Sequence, residues 1–126
     1  MLKQQSGFTL IELIMVIVVL GALAVTALPR YINLQGQAEQ GATDGVAGAL
    51  AAGSAINFAD CTAGGGATCL TGGAMANCTD VAATLLGGLP ATHAITALAL
   101  GASGTTTVCT VTGAGASSAT FTALTP

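Results

Sequence analysis

The sequence predicts an α+β chain in which one long, kinked N-terminal α-helix packs against a small antiparallel β-sheet. Three observations lead there. An apolar run of 21 residues, Phe8 to Leu28, is interrupted only by Thr9, Glu12, Thr26 and small residues. A helical pattern resumes after Pro29 and continues to about Phe58. Three short runs rich in threonine or alternating in polarity then close the sequence, separated by Gly and Ser turns.

With 126 residues the chain has room for one small domain and one long helix, not for two independent cores. Hydrophobic residues make up 52% and charged residues only 6%. Much of that apolar share is alanine, so a single segment is apolar enough for lipid and the remainder is small-residue sequence. Five acids against Lys3 and Arg30 leave a net charge of −3. Two basic side chains do not build a phosphate-neutralising surface, which argues against nucleic acid as the main partner.

Residues 1–7, MLKQQSG, read as a short polar leader. A helix over residues 8–28 spans roughly 30 Å, the thickness of bilayer hydrocarbon. It is apolar all round, as a helix covered by lipid or by other helices must be. Lys3 predicts a cytoplasmic leader and an exported C-terminus. In a secretory signal peptide the cleavage site follows the apolar region. Here the small-residue candidate, Ser6-Gly7, precedes it, so a cut there leaves the apolar helix on the mature chain.

Pro29 removes a helix hydrogen bond and crowds the preceding turn, so a kink or local melting is expected near residues 25–29. Residues 29–58 form the amphipathic second half of the helix. Its expected stripe comprises Ile32, Leu34, Val46, Ala49, Leu50, Gly53 and Ile56. Residues 59–126 form a small globular region. Within it, 60–78 read as a glycine-rich loop and Thr79–Leu86 as a short helix capped by Asn77 or Thr79. The expected strands are Thr92–Leu100, Thr105–Thr112 and Ala119–Leu124.

Cys61, Cys69, Cys78 and Cys109 all follow the apolar segment. An even number in a small exported domain predicts two disulfides. Their seven, eight and thirty intervening residues lack the C-x2-C pairing of a metal site. Chain proximity favours Cys61–Cys69 with Cys78–Cys109, and the other two connectivities stay open.

Gly7-Phe8-Thr9-Leu10-Ile11-Glu12, followed by the apolar run, resembles the class III signal of type IV prepilins. Gly21 and Pro29 fall where type IVa pilins commonly have a glycine and a proline. The stretch VIVVLGALAVTALPRYINLQ resembles the mannose-sensitive haemagglutinin branch of that family. The resemblance implies the pilin fold and cleavage between Gly7 and Phe8 by a prepilin peptidase, which also methylates the new Phe8 amine. It further implies storage in the bacterial inner membrane among its lipids. From there a platform protein and an assembly ATPase would extract the chain into a homopolymeric extracellular pilus for adhesion or surface attachment. A minor pilin, or a pseudopilin of a type II secretion or DNA-uptake machine, is the alternative in the same class. A membrane-anchored binding module that never polymerises is the alternative outside it.

Glu12 demands explanation without the family. A carboxylate at the centre of a membrane helix costs about 2.5–3.5 kcal/mol on insertion scales. No basic side chain lies within the segment, and the one nearby cation is the amine that cleavage creates at Phe8. In the family this glutamate meets the Phe8 amine of an adjacent subunit and sets register; the plain alternative is a carboxyl that snorkels or sits protonated. His93, the sole histidine, reads as a surface or strand residue, and Met15 and Met75 as packing. Asn77-Cys78-Thr79 fits a glycosylation sequon weakly, with a cysteine in its middle. No nucleophile–base set, phosphate loop or metal cluster stands out, so the sequence implies neither an enzyme nor a cofactor.

Overall fold

A computed structural model describes residues 7–66, 68–71 and 74–126. The expected leader lies outside the described residues except for Gly7. The chain divides into two units, up to Gln35 and from Gly36 to Pro126.

Helix α1 spans Leu10–Thr62 and contributes to both units. It starts two residues later than the apolar run because Thr9 caps it. The local melting expected at residues 25–29 does not occur: the helix is unbroken and Pro29 lies inside it. The missing N–H costs α1 a single intrahelical bond at the Val25 carbonyl, and long helical segments on both sides hold the backbone in register. Every residue from Gly7 to Ala38 is exposed.

α1 also ends later than Phe58. The Asp60 carbonyl accepts the Gly65 N–H at 2.8 Å and the Cys61 carbonyl the Gly64 N–H at 3.2 Å. Gly64 has φ +81°, the left-handed turn that ends helices and that glycine adopts without steric cost.

In the second unit the buried positions of α1 are Thr43, Ala47, Leu50, Ser54 and Asn57, at steps of four and three. The expected stripe is therefore displaced. Ile32, Leu34, Ala49 and Ile56 are exposed, Val46 and Gly53 are half-buried, and only Leu50 is fully covered. Counting apolar residues missed a seam that is three-fifths polar, and each polar member has a hydrogen-bond partner. Thr43 Oγ1 meets Ser117 Oγ at 2.7 Å, Ser54 Oγ donates to the Ala51 carbonyl at 3.0 Å, and Asn57 bonds Leu70.

The sheet has three antiparallel strands in the order β1 (Ala94–Ile95), β2 (Thr106–Thr112), β3 (Ser118–Leu124). β2 and β3 match expectation to within a residue. The first strand, expected over Thr92–Leu100, shrinks to two residues because the chain changes partner. Thr96 N–H still reaches the Thr110 carbonyl, after which Leu98 accepts from Cys78 N–H and Leu100 donates to Ala76. The short helix expected over Thr79–Leu86 is present as a 3-10 helix over Cys78–Thr84. Asn77 caps it, and the Asp80 carboxylate accepts the N–H groups of Ala76 and Asn77 at 3.0 and 2.7 Å.

Ala47 and Leu50 of α1 join Met75, Cys78, Val81, Cys109, Val111, Phe121 and Ala123 in one core. Met75 packs there as expected, whereas Met15 is exposed on the apolar helix.

Candidate functional site

Residues 7–9 adopt neither helix nor strand, and Gly7 and Phe8 are both exposed, Phe8 at 85%. Among the described residues, chain neighbours apart, no group lies within 4 Å of where a Gly7 side chain would start. The peptide bond between them is thus presented on an accessible, irregular segment just ahead of a helix, a form that a protease can bind.

Thr9 and Glu12 close the start of α1 on each other. Glu12 Oε2 accepts both the N–H and the hydroxyl of Thr9 at 2.9 Å, and Thr9 Oγ1 accepts the Glu12 N–H at 3.3 Å. This reciprocal capping box satisfies two backbone donors that a helix start leaves orphaned. The signal was present in the sequence as T-x-x-E at 9–12, and reading Glu12 only as a charge in search of a cation passes over it. The carboxylate is held by hydrogen bonds, and among the described residues no cation lies beside it.

Beyond the cap, α1 presents unrelieved apolar surface. Ile11, Leu13, Met15, Ile17, Val18 and Leu20 are each 58–64% exposed. By length and composition the helix can cross a membrane, and its most apolar stretch buries nothing. Gly21 continues the helix with open space around it.

The four cysteines form two disulfides. Cys61 in the last turn of α1 joins Cys69, with Cα atoms 5.0 Å apart. Cys78, at the start of the 3-10 helix, joins Cys109 on β2, at 5.8 Å. His93 has Nδ1 3.0 Å from Thr92 Oγ1 and Nε2 3.4 Å from Thr43 Oγ1, so it flanks the buried hydroxyl pair. Among the described residues no cluster of His, Cys, Asp and Glu is suited to a metal.

The segment that carries this geometry matches a known motif in sequence. The description "Prokaryotic N-terminal methylation motif" matches residues 2–28. The chain is type IV pilin-like.

Two relatives accompany that match. The "Type IV narrow pilus major component PilA5" of Thermus thermophilus is 47% identical over 51 residues, 40% of this chain and 44% of the relative. The "Type II secretion system core protein G" of Pseudomonas aeruginosa is 44% identical over 50 residues, 40% of this chain and 35% of the relative. The matched segment thus covers less than half of either relative. No solved structure matches the chain significantly. The long helix and the three-stranded antiparallel sheet are consistent with the type IV pilin fold.

Proposed function

We propose that this chain is a filament subunit, stored in the inner membrane as a precursor, cut between Gly7 and Phe8, methylated on the Phe8 amine and polymerised through α1. The observation that carries the reading is the pilin-like helix itself. From Leu10 to Leu28 it is exposed on all sides and apolar except at the capped Glu12 and at Thr26. Such a surface must be covered, first by lipid and then by copies of the same helix.

Glu12 gives the assembly its register. Cleavage places a new ammonium group four residues from a carboxylate that already holds its acceptor atoms at the helix start. A neighbour's Phe8 amine meets that carboxylate in a medium of low dielectric, where one alignment satisfies both charges and shifted alignments leave them unpaired. The partners this reading requires are a prepilin peptidase, a platform protein, an assembly ATPase and other copies of the chain. The role is structural, with the assembled filament serving attachment at the cell surface. The similarity to the type II secretion core protein supports a second reading, a pseudopilin of a secretion machine.

An intact mass of the protein sheared from the cell surface tests the proposal. A dominant species that begins at Phe8, is one methyl group heavier and has no free thiols is the expected result. Full-length protein confined to membranes would overturn it. A processed species found only in trace amounts on sheared filaments would favour the pseudopilin.

A further inference from the structure

Of the two basic side chains in the sequence, only Arg30 lies beyond Gly7. It is exposed, and among the described residues it has no ion-pair partner. The positions three and four residues away on its helix are Thr26, Ala27, Asn33 and Leu34, none of which offers a carboxylate. Residues 36–126 are the opposite case: they carry Glu39, Asp44, Asp60 and Asp80 and neither lysine nor arginine.

One of those acids lines an open concavity of about 470 Å³, formed by Asp44 and Ala47 of α1 with Ser118, Ala119 and Thr120 of β3. It lies along the free edge of the sheet. Gly113 N–H bonds the Ser117 carbonyl and Thr125 N–H the Thr105 carbonyl, so odd-numbered residues of β3 face β2. Even-numbered ones turn their peptide groups outward. At Ser118 and Thr122 the helix fills that edge: Gln40 Nε2 donates to the Ser118 carbonyl at 2.9 Å and Ser54 Oγ to the Thr122 carbonyl at 3.4 Å. Thr120 lies between them, and among the described residues its outward carbonyl has no partner. The concavity therefore gathers acceptors: the Thr120 carbonyl and the Asp44 carboxylate, whose Oδ1 takes the Gln40 amide at 2.8 Å and whose Oδ2 has no partner among the described residues.

A guanidinium group, planar with five N–H donors and no acceptor, matches such a set better than a compact ammonium does. We propose that this concavity receives the Arg30 guanidinium of a second copy of the chain, an inference that rests on the filament reading above. Charge opposes charge, donors meet acceptors, and the interface is head-to-tail, the arrangement that builds open filaments. The contact would fasten the acidic globular unit of one subunit to the helix of another.

The test uses the full-length chain in its own cells, with the yield of sheared filaments and the membrane pool of processed chain both measured. Arg30→Ala and Asp44→Ala are each expected to lower filament yield roughly tenfold, the loss of one charge-assisted contact per interface. The processed pool should remain, with both disulfides formed. Exchanging the charges in one chain, Arg30→Asp with Asp44→Arg, should restore most of the yield, and Arg30→Lys only part of it. Failure of the exchange to restore filaments would overturn the pairing. So would an effect of Arg30→Ala without one of Asp44→Ala, which would assign Arg30 to lipid phosphate instead. Abundant filaments from every variant would refute this contact and leave the filament reading intact; no filaments from the unaltered chain would refute the reading itself.

Discussion

Asn57 grips the Leu70 peptide at both ends. Its Nδ2 donates to the Leu70 carbonyl at 3.0 Å while its Oδ1 accepts the Leu70 N–H at 2.9 Å. An amide side chain on a helix thus stands in for a strand partner and fixes the loop closed by Cys61–Cys69 against α1. Asn57 is 7% exposed, so water replaces these bonds poorly. Asn57→Leu should destabilise the globular unit by about 2–3 kcal/mol, because the Leu70 peptide loses both partners. Denaturant titration of the detergent-solubilised chain measures it. A loss below about 0.5 kcal/mol would show that the amide is dispensable.

Two glycines of α1 give opposite expectations for the same substitution. At Gly48 nothing lies within 4 Å of a new Cβ, so Gly48→Ala should stabilise the helix by up to about 1 kcal/mol. At Gly53 the new methyl would run into the Thr84 hydroxyl and come within 3.1 Å of Thr84 Cβ. That hydroxyl is itself committed to the Val81 carbonyl at 2.7 Å. Gly53→Ala should therefore lose more through displacement of the 3-10 helix than it gains in propensity, a net cost of about 1–2 kcal/mol. Thermal melting of the two variants side by side decides the matter; equal shifts would mean that the contact at Thr84 relaxes freely.

The sequence made the helix, β2 and β3 legible because their signals are local: an unbroken apolar run, and alternating threonine and β-branched residues between glycine turns. The buried face of α1 was not legible in the same way. Thr43 and Asn57 find hydrogen-bond partners beyond the helix, at Ser117 and Leu70, and Ser54 shares its hydroxyl between the local Ala51 carbonyl and the Thr122 carbonyl; hydrophobic counting along one element cannot see partners up to 74 residues away. The same reason shortened β1, where the choice between Thr110 and the 76–78 segment is tertiary. At residues 7–12 the motif and the apolar run were plain, and only the role of Thr9 as a cap was passed over.

The two disulfides should differ in what they hold. Cys78–Cys109 closes 31 residues of sequence and both partners are buried in the core, whereas Cys61–Cys69 closes only 8 at the end of α1. Loop-closure entropy assigns about 4 kcal/mol to the longer loop and about 2.5 kcal/mol to the shorter. Replacing Cys78 and Cys109 by alanine should therefore cost more than replacing Cys61 and Cys69, with further loss from the core volume removed. In the shorter-loop variant, hydrogen exchange should quicken in the last turn of α1 and leave the sheet protected. Slow exchange throughout that variant would show that Asn57 alone anchors the loop.

The double role of Glu12 can be taken apart because cap and charge depend on different atoms. Glu12→Gln keeps an oxygen to accept from Thr9 and removes the negative charge, so the capping box survives. Thr9→Val keeps the charge and deletes the hydroxyl, at about 1 kcal/mol of helix-start stability. If register depends on a carboxylate meeting the Phe8 amine, Glu12→Gln should be processed normally and yet give filaments at a small fraction of the unaltered yield, while Thr9→Val assembles nearly as well as the unaltered chain. If the cap is what matters, the order reverses. The readout is the ratio of sheared to membrane-bound mature chain for the two variants in otherwise identical cells, and a Glu12→Gln chain that assembles fully would end the charge-register account.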